Sequence, residues 1–311
     1  MRIDTEAGWL QHETAVSWGW SEETGVYALA QTANALAAAG AGCMGMEVQI
    51  MFPPHADHAK IYAMERCIRK TCRERGIELK GTKLVQCPLY AAPAVTVSGI
   101  GYLPGRAEQT DARAGEEIVL VKWAGMEGML RILDERGEEL RQRFAPVFIS
   151  QIRSYRDEIF AAAELETARE MKVPAVRQIT DGGILAALWK LAKETGMGIE
   201  ADMKRMSILQ ETIEVCEHYR LNPYQMTSAG SFLMLTEDGK ALADALERKK
   251  IRASVIGRLT AGNDKLIHNG EDIRYIDRPA PDEIYKLFMG GKNDGRDEKS
   301  NIKVFGEEQQ G

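Results

Sequence analysis

Val173-Pro174-Ala175-Val176 runs through Arg177-Gln178-Ile179 into Thr180-Asp181-Gly182-Gly183, and a segment from Ile184 to Thr195 follows with apolar residues at Ile184, Leu185, Leu188 and Leu191. A short apolar run, a glycine turn and a stripe of helical period predict strand, turn and helix. Glycines at such a handover let backbone N–H groups approach an anion at the positive end of the helix dipole. Asp181 would serve equally well as a helix N-cap, and its charge would repel an anion beside it. Ligand contact and plain turn chemistry are therefore both open on these residues alone.

The same alternation extends outward in both directions. Downstream, a helix over Leu209–Tyr219 closes before Asn222-Pro223. Phe232–Thr236, Gly239–Lys250 and Ala253–Leu259 then read as strand, helix and strand. Upstream, a helix over roughly 154–171 precedes the opening strand. The Glu- and Arg-rich stretch 134–144 reads as a solvated connection. Before it, Ala114-Gly115-Glu116-Glu117 turns into the buried strand Ile118–Trp123, and Gly125 and Gly128 open a helix.

In the first half, the Ala-rich run from Val26 to Ala39 stops at Gly40 and predicts a tightly packed helix. Met46–Phe52 alternates in period two and ends at Pro53-Pro54, as a strand does. A helix over His58–Arg75 and strands over Lys83–Cys87 and Ala94–Tyr102 follow, the last expected to bulge at Gly99 and Gly101. The first 25 residues, with Trp9, Trp18 and Trp20, keep neither period for long. The pattern is α/β (α+β) in two domains, 1–145 and 146–288, with a polar flexible tail over 289–311.

The chain has 311 residues, of which 44% are hydrophobic and 28% charged, and a net charge of −6. Mild acidity argues against a nucleic-acid binder, which needs a basic face to displace counterions. No apolar run reaches the roughly 20 residues that span a bilayer, and the start lacks a secretory layout. Five cysteines with no C-x-x-C pair read as reduced packing thiols in a cytoplasmic protein. His55-Ala56-Asp57-His58 could supply metal ligands, but His12, His218 and His268 stand alone, and Asp57 suits a helix cap. No G-x-S-x-G elbow is present, and no metal site is expected.

The order of these segments resembles the aminoimidazole ribonucleotide (AIR) synthetase-like superfamily. Ala33-Asn34-Ala35-Leu36-Ala37-Ala38-Ala39-Gly40 resembles its N-terminal helix, and Gly81-Thr82 its Gly-Gly-x-Thr turn. Ala114–Val121 with Gly125 and Gly128 resembles its central strand and turn. Arg177–Ile184, Cys216–Pro223 with Ser228-Ala229-Gly230, and Ala253–Gly257 resemble its C-terminal motifs. The Cys216–Pro223 run is most similar to the hydrogenase maturation (carbamoyl dehydratase) branch. The resemblance implies an AIR-synthetase-like fold, an N-terminal α/β domain that dimerises followed by a C-terminal α/β domain. It implies ATP and Mg²⁺ as cofactors in a cleft shared across a homodimer, and a protein partner in metalloenzyme maturation. The ligand-binding positions it carries over are Asn34, Gly81, Thr82, Thr180, Gly182, Gly183, Ser228 and Gly230.

The departures fall on the acids that would hold Mg²⁺ against the phosphates. Ala35, Gln178 and Ala229 stand where the resemblance puts Asp, Asp and Glu, no Asp-Asp precedes the first helix, and no C-terminal cysteine closes the chain. The resulting expectation is a diverged member, a pseudoenzyme that binds a small ligand or a partner protein. The alternative is an active ATP-dependent carbamoyl dehydratase with substitute metal ligands such as Glu47, Asp57 or Asp181. Under that alternative, a bulky residue at Gly183 would weaken nucleotide binding without unfolding the chain.

Overall fold

The computed structural model describes residues 1–5, 8–104 and 112–289. Among them β1 (Arg2–Thr5), β2 (Gly8–Trp18), α1 (Thr24–Ala38), β3 (Gly42–Phe52), α2 (His58–Glu74), β4 (Leu79–Gln86) and β5 (Ala94–Pro104) build a first sheet and its helices. The strand order is β1-β2-β5-β3-β4. Only β3 and β4 run parallel, and α2 supplies the crossover that parallel strands require. Alternate residues of β3 and β5 (Met46, Val48, Ile50, Val95 and Val97) pack under α1 and α2 against Leu29, Leu36, Ile61 and Ile68.

The second sheet holds β6 (Glu117–Val121), β7 (Ala175–Gln178), β8 (Gly198–Asp202), β9 (Phe232–Thr236), β10 (Ala253–Thr260), β11 (Lys265–Asn269) and β12 (Asp272–Tyr275). Its order is β12-β11-β8-β10-β6-β9-β7. Its helices are α3 (Met126–Arg143), α4 (Pro146–Ser154), α5 (Ala162–Glu170), α6 (Gly183–Thr195), α7 (Gln210–Tyr219), α8 (Gly239–Arg248) and α9 (Tyr285–Met289). β6 is buried on both faces. Ile118 and Leu120 meet α6, and Val119 and Val121 meet α5 and α8. α1 is covered on a second side as well, because Val26, Tyr27 and Ala30 reach a third cluster with Met126, Met129 and Leu130 of α3.

Several expectations change. The stretch 134–144 is not a connection, since α3 continues through it to Arg143 with one kink at Arg136 (φ −122°, ψ 23°). Leu133 and Leu140 hold one face in the core, while Glu and Arg, good helix formers, cover the other. β6 lies in the second sheet, so the chain changes sheets ahead of Glu117.

The helix expected over 154–171 is α4, a 3-10 turn (Arg156–Ile159) and α5. Asn34 fixes the break by donating to Ile159 O (2.7 Å) and accepting from Ala161 N–H (3.1 Å). The bulge sits on β3, where Met44 is skipped between the pairs Cys43–Gly101 and Gly45–Ile100. Gly99 and Gly101 instead admit α1 and the turn that follows it, because a Cβ on them would lie 2.9 Å from Thr32 and Ala41 respectively. The expected tail lies, beyond Met289, outside the described residues. Among those residues no helix is long and apolar enough to cross a membrane.

Candidate functional site

Where β2, α1 and β7 converge, a cleft of about 600 Å³ opens between the two sheets, a size in the range of small-molecule sites. Ala35, Ala38 and Ala39 give it a flat wall along α1. Trp18 of β2 and Tyr285 of α9 close one end, with ring centroids 4.8 Å apart. Gln31, Gln178, Thr180, Arg131 and Arg177 supply its polar atoms, and Glu13 and Asp181 its acids.

Below the cleft lies Glu127, with no exposed surface. Its carboxylate accepts from Gln31 Nε2 (2.9 and 3.1 Å), Thr227 Oγ1 (2.6 Å) and Ala229 N–H (2.8 Å). Gln178 is fixed in turn, since its Oε1 accepts from Asn34 (2.9 Å) and its Nε2 donates to Gln31 O (3.0 Å).

The eight residues singled out in the sequence separate into groups. Thr180 lines the cleft, and Asn34 stands behind Gln178. Ser228 is buried, accepting from Gly125 N–H (2.6 Å) and donating to Met226 O (3.0 Å). Gly230 (φ +87°) lets the chain pass the backbone of Glu158 and Ile159. Ser228 thus ties the turn before β9 to the start of α3, and Gly230 seats the same turn on the 3-10 turn. Gly81 and Thr82 lie on β4, at the opposite edge of the first sheet from β2.

Gly182 and Gly183 do open α6, both with positive φ. Asp181 is not its cap; it accepts the Tyr285 hydroxyl instead. The Gly182 N–H is already taken by the buried Asp282 carboxylate at 2.9 Å, whose other oxygen accepts Ile284 N–H at 3.0 Å. Gly183 is pressed onto Tyr224–Met226, where an added Cβ would lie 2.4 Å from Tyr224 O. A bulky residue there would therefore break packing, so it cannot probe binding in an intact fold.

Burial pushes the Asp282 carboxyl up to about 7, against two backbone N–H bonds that pull it down. Between the ordinary carboxylate range near pH 3.9 and pH 7 the folded chain thus holds a proton that the unfolded chain has released. Stability falls as pH rises through that window. In urea titrations from pH 4.5 to 8, Asp282→Asn is expected to flatten this slope relative to the parent. Parallel slopes for the two proteins would refute the assignment.

Asp57 caps α2 through Ala59 N–H (2.8 Å), His58 packs edge-on to Phe52, and Glu47 is exposed on β3. Ala35 and Gln178 line the cleft, and Ala229 is buried beneath it. Among the described residues no three His, Cys, Asp or Glu stand close enough to hold a metal ion. Asp181, the third substitute ligand, does line the cleft together with Glu13, and the rest of the polar lining is amide, hydroxyl and guanidinium, whereas Mg²⁺ takes hard oxygens in near-octahedral array. All five cysteines are free, and burial pushes the Cys67 and Cys216 thiols up to about 12, away from nucleophile chemistry.

Sequence reasoning missed Arg131, Trp18, Tyr285 and Glu127. Glu127 lies between the flagged Gly125 and Gly128, and its place just before an apolar helix face was the one available signal.

Two sheets with their helices, and a polar cleft where β2, α1 and β7 converge, define a mixed α/β fold class. Residues 113–269 match the model of the AIR synthase related protein, C-terminal domain, and the chain belongs to that family. It is 22% identical over 253 residues to carbamoyl dehydratase HypE of Rhodobacter capsulatus, covering 80% of this chain and 72% of that one. Its fold matches E. coli HypE, a hydrogenase maturation protein, with a TM-score of 0.69 at 21% identity over 88% of each chain. It also matches a hydrogenase maturation protein HypE solved in complex with ATP (TM-score 0.67, 15% identity, 91% of this chain and 88% of that one). The chain is thus an AIR-synthase-like protein close to the hydrogenase maturation branch.

Proposed function

We propose that this chain is a diverged member of its family that binds a small ligand in the cleft without Mg²⁺-dependent ATP turnover. The observation that carries the reading is the donor set. The three positions where the resemblance would set acids hold Ala35, Gln178 and Ala229, and the buried acid nearby, Glu127, already accepts four hydrogen bonds. Its place in metalloenzyme maturation follows from likeness to the carbamoyl dehydratases.

The outer face of the first sheet supports a homodimer, because Val16 and Ile100 stand 43% and 46% exposed there, on the face away from α1 and α2. Gly81 and Thr82, far from the cleft of their own chain, would then lie toward the second copy. We place the division between the two domains between Pro104 and Glu117, where the chain changes sheets.

The test is calorimetric titration of folded full-length protein with ATP, in Mg²⁺ and in EDTA, on samples whose mass is read by light scattering. No Mg²⁺-dependent binding heat and no phosphate release above background are expected, from particles of two chains. A saturable Mg²⁺-dependent heat with turnover would instead establish the ATP-dependent dehydratase.

A further inference from the structure

Arg131 is the most constrained charge in the cleft. Its side chain is 5% exposed, although it lines the cavity. The guanidinium lies 5.5 Å from the Trp18 ring and 5.8 Å from the Phe288 ring, and one nitrogen donates to Trp18 O at 3.3 Å. Glu127 pairs with it only at 3.8 Å, beyond hydrogen-bond distance, and has turned both oxygens to Gln31, Thr227 and Ala229, while Glu135 feels its charge without a hydrogen bond to it.

A buried cation costs several kcal/mol unless its donors are met, and a guanidinium carries five in a planar fork. Among the described residues one hydrogen bond, to Trp18 O, meets these donors. A second guanidinium reinforces the pattern. Arg177, also in the cleft wall, pairs with Glu194, and its Nε is buried with no hydrogen-bond partner.

We infer that Arg131 anchors the oxyanion group, carboxylate or phosphate, of a small flat ligand that enters without a divalent cation. This rests on the metal-independent reading above. The planar fork matches a carboxylate or phosphate with two parallel bonds. The wall of Ala35, Ala38 and Ala39 with Trp18 offers the apolar surface that the body of such a ligand would cover. Glu13 and Asp181, the acids of the cleft, add a preference for a single anionic group over a polyanion.

The probes are benzoate and inorganic phosphate, titrated into the full chain in EDTA at an ionic strength held constant with chloride. Binding is read by calorimetry and by thermal unfolding. One or both anions are expected to give a saturable response at millimolar concentration, and the stronger of the two identifies the group. Arg131→Gln should weaken it at least tenfold, and Arg131→Lys, which keeps the charge but not the fork, should fall between. Circular dichroism checks each fold; if Arg131→Gln fails to fold, the lysine variant carries the comparison.

No response to either anion in the parent, or equal metal-free binding in parent and variants, overturns the role of Arg131. The latter outcome leaves the metal-independent reading standing. Binding that appears only when Mg²⁺ replaces EDTA overturns that reading itself.

Discussion

Glu164→Ala is expected to lower the free energy of unfolding by about 3–5 kcal/mol, the range for removing one partner of a buried ion pair. Lys122 is 2% exposed at the end of β6, and its ammonium lies 2.7 Å from Glu164, itself 6% exposed. The same ammonium donates to Glu158 O at 2.6 Å and stands 3.1 Å from the Glu158 carboxylate. Glu158 is 43% exposed and therefore a screened counter-charge. With Glu164 gone, a cation remains in a site walled by α5 and β6.

The loss should be partly recovered by adding Lys122→Met, which removes the orphaned charge while keeping much of the volume. The double variant then falls short of the sum of the single effects. Denaturant unfolding of the four proteins measures this. A Glu164→Ala cost under 1 kcal/mol would mean that water or Glu158 replaces the lost partner, and would sink the prediction.

Gly183→Ala should cost about 2–5 kcal/mol for a different reason. At φ +69° an alanine carries a left-handed penalty of roughly 1–2 kcal/mol. Overpacking adds about 1–3 kcal/mol, because the new Cβ meets Tyr224 O, Met226 N and Gln225 C, all backbone, at 2.4–2.8 Å. Gly196 provides the control. It ends the same helix at φ +66° with nothing within 4 Å of an added Cβ, so Gly196→Ala carries the left-handed penalty alone. Equal costs at the two positions would show that the contact with residues 224–226 does not resist the methyl.

These positions show how far the chain could be read in advance. Elements with one dominant period, such as β3, α2, α6 and α8, were legible because each buries one face or one stripe. β2 was not. Its Gln11, His12 and Glu13 are partly covered on both sides of the sheet, so polar residues sit where alternation would put apolar ones. β12 is exposed at every residue, and burial left no mark on its sequence.

The 134–144 stretch misled because surface composition alone does not separate a solvated helix face from a loop. The buried Leu133 and Leu140 were the evidence to weigh. The cleft was half legible. Thr180 was found because strand, turn and helix are consecutive in sequence. Trp18, Arg131 and Tyr285 come from three distant segments, each explicable locally as packing, and only the fold joins them.

The placement of β6 has a consequence for how the protein is made. Its two neighbours in the sheet, β9 and β10, follow it by most of the second half of the chain. Ile118-Val119-Leu120-Val121, fully buried at the end, must wait on the ribosome until Phe232 and Ala253 have emerged. At typical synthesis rates that interval is on the order of ten seconds. Throughout it an apolar strand has both edges open, which makes this segment the natural point of chaperone capture in the nascent chain and of aggregation when capture fails.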